Sequence, residues 1–143
     1  MTIGFIYAAG AAITWGLVYA IDGKILSTTS PLALLFVNSV VTTVIMLPFA
    51  FSDYESIRTL ISSGKGNLGL VASAIILATA GNFFIFSAIK SMDASSASII
   101  EIAYPFFVIL FSFILYKTVP TLSFFIGGIF IFIGAAIIIY FNK

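Results

Sequence analysis

A single carboxylate, Glu101, stands inside a long apolar segment and is the residue best placed to do chemistry. The segment, 94–117, reads ASSASIIEIAYPFFVILFSFILYK and is long enough to cross a bilayer. A charge in hydrocarbon costs roughly 2.5–3.5 kcal/mol on insertion scales, so such residues usually face a cavity or a partner. Pro105, four residues on, has no N–H to donate to the Glu101 carbonyl. The sequence therefore predicts a carboxylate and a free backbone oxygen at one helix position.

Two interpretations of this position are open at the level of sequence. In the first, Glu101 faces a cavity and takes part in function. In the second, the proline bends a helix that lies against lipid or a neighbour, and Glu101 pairs with another helix for structural reasons alone. Both require a partner for the carboxylate, because hydrocarbon offers none.

The absence of two residue types narrows the chemistry further. The chain has no cysteine and no histidine. Disulfides, thiol redox chemistry, the usual zinc sites and a Ser-His-Asp arrangement are therefore excluded. Any proton transfer near neutral pH would therefore have to use a carboxylate or a lysine. We expect no cofactor, no metal site and no enzymatic activity, since only Glu101 offers acid–base chemistry inside the membrane.

The composition is that of a membrane protein. Of the 143 residues, 62% are hydrophobic and only 8% are charged, whereas ordinary globular chains are about 25% charged. The net charge is +1 and no basic patch is present, so nucleic acid is not an expected partner. The expected surroundings are a lipid bilayer.

Five apolar segments are long enough to span that bilayer, and they predict an all-α membrane protein with one domain over residues 1–143. Because five is odd, the two termini lie on opposite sides. The longest loop carries Ile57, Leu60 and Ile61 at helical spacing, which predicts a short interfacial helix. The predicted spans are 3–21, 32–51, 68–89, 95–116 and 121–141.

Polar and aromatic residues on the fourth segment extend the candidate site. Tyr104, Pro105 and Ser112 fall on the face of Glu101 by their three- and four-residue spacings. These side chains therefore share one polar face of the fourth segment with Glu101.

Two other segments offer one candidate each. Trp15 on the first segment would supply an aromatic cavity wall, with ordinary packing as the alternative. Asn82 on the third would supply an amide. Small residues also recur every four positions on the first segment and predict a stripe for close approach of another helix. The stripe consists of Gly4, Ala8, Ala12, Gly16 and Ala20.

Four short motifs occur in order along the chain. They are Ala12-Ile-Thr-Trp15-Gly16, the run AIKSMDASSA from Ala88 to Ala97, Tyr104-Pro105 before an aromatic-rich run, and Gly127-Gly128 followed by Gly134. Together they resemble the EamA-type repeat of the drug/metabolite transporter superfamily, and the resemblance covers the whole chain. Members often place a glutamate directly before the proline, where this chain has Tyr104.

The resemblance implies a secondary transporter of a small metabolite or solute in the cytoplasmic membrane. It implies a central cavity lined largely by the first, third and fourth helices. It also implies that the five helices are one half of an inverted-repeat fold and work as a dimer of half-repeats. Glu101 is then the candidate proton-coupling group. The alternative is a membrane interaction or assembly subunit that does not transport.

Lysine and arginine are balanced between the two predicted membrane faces, with three on each. An excess on the cytoplasmic side normally sets orientation, and this chain has none. The balance favours an antiparallel homodimer over a parallel dimer or a separate partner chain. One face carries Arg58, Lys65 and Lys117, and the other carries Lys24, Lys90 and Lys143.

Overall fold

The structure is a computed structural model that describes residues 2–141. The described residues form helices joined by short turns, with no strand, and the prediction of an all-α membrane protein with five spans is confirmed. Met1 and Lys143 lie outside the described residues, so the predicted position of Lys143 is not addressed. The helices are α1 Thr2–Leu26, α2 Pro31–Ser52, α3 Tyr54–Ser62, α4 Lys65–Ser91, α5 Ala94–Glu101, α6 Tyr104–Tyr116 and α7 Leu122–Phe141.

Side-chain caps fix where two of these helices begin. Ser30 accepts a hydrogen bond from the Ala33 N–H at 3.1 Å, and Pro31 occupies the first turn of α2, where its missing N–H costs nothing. Asp93 accepts from both the N–H and the hydroxyl of Ser96, at 2.8 and 2.6 Å. Those hydrogen bonds from Ser96 hold the pKa of the Asp93 carboxyl below its ordinary value, because they favour the charged form.

The first helix runs on past its predicted end at Ile21 to Leu26, so Asp22 lies within it. Helix ends leave carbonyl oxygens without intrahelical partners. Here the ammonium of Lys90, at the end of α4, donates to the carbonyls of Leu26 and Thr29 at 3.2 and 2.7 Å. A cation at a helix C-terminus also complements the helix dipole.

The fourth span, predicted over 95–116 with Pro105 interrupting its hydrogen bonding, consists of two helices. Between α5 and α6 the hydrogen bonds tighten: the Ala103 N–H donates to the Ile100 carbonyl, and the Phe106 N–H donates to the Ala103 carbonyl. Pro105 in the first turn of α6 is the physical reason, because it has no N–H to continue the α-helical ladder. Residues Ala94–Tyr116 still form one span.

Helix α4 stands at the centre of the bundle and contacts α1, α2 and α5. A small buried core joins α1, α4 and α5 near the face that carries Lys90; it consists of Leu26, Ile85, Phe86, Ile89 and Ala97. Most other large apolar side chains are exposed, which suits helices that face lipid. A short helix, α3, is present between α2 and α4, where the sequence predicts an interfacial helix.

Helices α6 and α7 meet through aromatic packing on a glycine. The rings of Phe106 and Phe132 lie edge to face, with centroids 6.0 Å apart. A Cβ added at Gly128 would lie 2.8 Å from the Phe106 ring, whereas one added at Gly127 would meet no described atom within 4 Å. Of the two adjacent glycines, Gly128 is therefore the one that the packing requires.

Gly128→Ala is expected to destabilise the α6–α7 contact by about 1–3 kcal/mol, the usual cost of overpacking a fitted contact. The Phe106 ring would have to move, and Phe132 restricts that movement. Thermal unfolding in lipid nanodiscs measures the effect. Gly127→Ala is the matched control and should unfold as the wild type does; equal destabilisation by both variants would contradict the proposed packing.

Candidate functional site

A cavity of about 770 Å³ lies where α1, α4 and the α5–α6 break meet. It is several times the size of a water molecule and within the range of small-molecule sites. Its residues come from the three helices that the family resemblance implied. The lining is Ala8, Ala11, Ala12, Trp15, Tyr19, Ala78, Gly81, Asn82, Ile85, Glu101, Ile102 and Tyr104.

Small side chains create this space. Ala8 and Ala12 of the predicted small-residue stripe face the cavity, opposite Ala78 and Gly81 of α4. A Cβ added at Gly16 would meet no described atom within 4 Å. The prediction that another helix of the chain packs closely on the stripe is therefore not fulfilled within residues 2–141. The alanines and glycines instead leave room between the helices.

Glu101 has a partner within the chain. The Tyr19 hydroxyl donates to Oε2 of Glu101 at 2.6 Å, and both side chains are partly buried. A hydrogen bond of this length between two oxygens is short and among the stronger hydrogen bonds in proteins. It ties α1 to the last residue of α5, directly before the break. The carboxylate is thus held at the cavity by a neutral donor.

The sequence gives only an indirect signal for Tyr19. It lies four residues after Trp15, so the two share a helix face, and their ring centroids are 5.7 Å apart. Its link to Glu101 joins residues 82 positions apart. Helical spacing relates only residues a few positions apart, so it could not predict this hydrogen bond.

The structure brings four of the six predicted site residues together at the cavity: Glu101, Tyr104, Trp15 and Asn82. Pro105 lies elsewhere, in a separate apolar crevice of about 330 Å³ formed with α7. Ser112 is not among the cavity residues either. The spacing argument that placed both on the Glu101 face assumed an unbroken helix, and the break between α5 and α6 interrupts that register.

The cavity is open on one side. Trp15 is 51% and Tyr104 61% exposed, although both line it. Among residues 2–141, Glu101 forms no ion pair. The ion pair in this part of the chain lies at the surface, between Arg58 and Glu55, 4.0 Å apart. The same part of the chain has no cluster of carboxylates able to hold a metal ion. The site is therefore one carboxylate with hydroxyl, amide and aromatic neighbours.

The five apolar spans define a multi-pass integral membrane protein, and three of them line a cavity that holds one carboxylate. The model of the EamA-like transporter family matches residues 2–140. The chain belongs to the EamA-like transporter family, whose members are membrane transporters of the drug/metabolite type. Among curated proteins and among solved structures, no match to the chain was found.

Proposed function

We propose that the protein is a secondary transporter of a small solute across the cytoplasmic membrane, and that the cavity is its solute site. The observation that carries this proposal is the position of Glu101, which lines a cavity of about 770 Å³ beside a broken span. Ionisable residues within spans mark solute or ion pathways more often than they serve packing. Membership of a transporter family supports the same conclusion.

Each type of side chain in the cavity would make a different kind of contact with a solute. The carboxylate of Glu101 attracts a cationic group or exchanges a proton for the solute. The Asn82 amide can donate and accept hydrogen bonds. The rings of Trp15 and Tyr104 supply apolar or cation–π contact at the open side. Small organic cations and solutes exchanged for protons are therefore the classes that this site fits.

The open side of the cavity calls for a second five-helix unit, and we take that unit to be another copy of the chain. A transporter site must be closed to one side of the membrane at a time, and inverted repeats achieve this because the site lies at their interface, near the midplane. The exposed rings of Trp15 and Tyr104 offer the surface that a second unit would cover. Balanced lysine and arginine favour the antiparallel arrangement.

A non-transporting assembly subunit is the second candidate. The same exposed aromatic rings would then be a protein interface, and the space beside Glu101 would be filled by a partner helix. The two functions differ in whether the cavity must stay empty for solute.

Filling the cavity separates them. In proteoliposomes assayed with a panel of small organic cations, amino acids and sugars, Ala12→Phe is expected to abolish uptake, because its ring occupies the space beside Trp15. Ile13→Phe is the matched control: Ile13 is the next residue, 76% exposed and outside the cavity lining, and its variant should transport normally. Normal uptake by Ala12→Phe, or no uptake of any panel member by the wild type, would contradict the proposal.

A further inference from the structure

Asp22 is a buried carboxyl that the proposed solute site does not use. Its residue is only 7% exposed, and its Oδ2 atom has no hydrogen-bond partner. It lies in the last part of α1, one turn beyond Tyr19 and towards the face that carries Lys24 and Lys90. It does not line the cavity.

The charged groups around Asp22 are already engaged or turned away. Lys90 of α4 donates to the carbonyls at the end of α1. Asp93, at the start of α5, is bonded to Ser96. Glu101, at the end of α5, is bonded to Tyr19. On α1 itself Lys24 is exposed. The remaining helix of this part of the bundle, α2, has no ionisable side chain.

The Oδ2 oxygen of Asp22 is buried without a partner, which disfavours a charge on this carboxyl, and buried carboxyls in that position take up a proton instead. We propose that Asp22 is a proton-binding site, separate from Glu101 and occupied in this conformation. A metal ion is a poorer occupant, because a hard cation needs several oxygen ligands, and residues 2–141 offer no cluster of acidic residues.

The location of Asp22 suits a role for its proton in the transport cycle. Tyr19 lies near both carboxyls. Its hydroxyl donates a hydrogen bond to Glu101. Asp22 lies three residues further along α1, a spacing that places two side chains on one helix face. Of the two carboxyls, Asp22 and Glu101, Asp22 is thus the one nearer the membrane face that carries Lys24 and Lys90. Water at that membrane face is therefore the partner with which Asp22 would exchange its proton. A role in the transport cycle depends on the proposed function, whereas the proton site does not.

Infrared spectroscopy of the purified protein in nanodiscs tests the site without any solute. Label with ¹³C-aspartate and titrate upwards from neutral pH. We expect a carbonyl band of a protonated carboxyl at neutral pH that shifts with the label, so that it belongs to an aspartate. Besides Asp22, the chain has only Asp53 and Asp93, both exposed. The band should vanish in Asp22→Asn and at high pH.

Asp93→Asn is the matched control, because asparagine also caps helices and the band should persist. The isotope shift needs no substitution, so the site remains testable even if Asp22→Asn folds poorly. The absence of a label-sensitive band at neutral pH, or its survival in Asp22→Asn, would overturn the proposal. Failure of transport would leave the infrared result intact, and failure of the infrared test would leave transport intact, so the two proposals fail independently.

Discussion

Replacing Glu101 with glutamine is expected to uncouple transport from the proton gradient. Glutamine keeps the shape of the side chain and can still accept a hydrogen bond from the Tyr19 hydroxyl, but it cannot bind and release a proton. The solute would then equilibrate across the membrane without being concentrated.

The expected size follows from the energy of the gradient. One pH unit is worth about 1.4 kcal/mol per proton, which is about a tenfold concentration ratio when one proton exchanges for one solute without a membrane potential. Wild-type proteoliposomes with a one-unit gradient should reach about that ratio, and Glu101→Gln vesicles should show no accumulation. The measurement is steady-state solute uptake at several external pH values.

Glu55→Gln is the matched control, because Glu55 is the other glutamate of the chain and lies exposed on α3. It should accumulate solute as the wild type does. Tyr19→Phe removes the hydrogen bond to Glu101 but leaves the carboxyl, so we expect coupling to persist. An unchanged pH dependence in Glu101→Gln would remove Glu101 from the coupling role.

The fold could be predicted well from the sequence because membrane spans depend on local composition. Each helix must satisfy its own backbone in lipid, so twenty apolar residues suffice to identify one. The end of α1 was harder to predict: Asp22, Gly23 and Lys24 resemble a loop, and only the contact from Lys90 shows why the helix continues.

The site could be predicted in part. Glu101 was identifiable because an intramembrane charge is exceptional. Its hydrogen bond to Tyr19 depends on how α1 packs on α5, and that information is not local. The same limit explains Pro105 and Ser112: helical spacing predicts a shared face only while the helix is unbroken, and the proline that marked the site also ended the helix beside it.

The proposed antiparallel dimer predicts that orientation can be locked by charge. Ser56 and Ser62 are exposed on α3, on the face that carries Arg58 and Lys65. Changing both to lysine raises that face from three basic residues to five against three. Because an excess of lysine and arginine marks the cytoplasmic side, the double variant should insert in one orientation. If the working form needs two opposed copies, this variant alone should lose nearly all transport.

Co-expression of an oppositely locked copy should restore activity. Ser27→Lys with Thr28→Lys places two charges in the exposed turn after α1, on the other membrane face. Each double variant should be inactive alone and active with the other, whereas Ser56→Gln with Ser62→Gln should behave as the wild type. The readouts are solute uptake and accessibility labelling at Lys143, where wild-type protein should be labelled from both sides of the membrane.

These outcomes separate the antiparallel dimer from its rivals, because a parallel dimer or a separate partner chain needs only one orientation. In either of those assemblies, one of the two lysine variants would keep full activity by itself, and Lys143 would be labelled from a single side. Either result would contradict the antiparallel arrangement but leave the cavity and Glu101 in place. Complementation between two inactive variants requires two orientations. If all copies of the assembly shared one orientation, adding a copy locked in the opposite orientation could not restore activity.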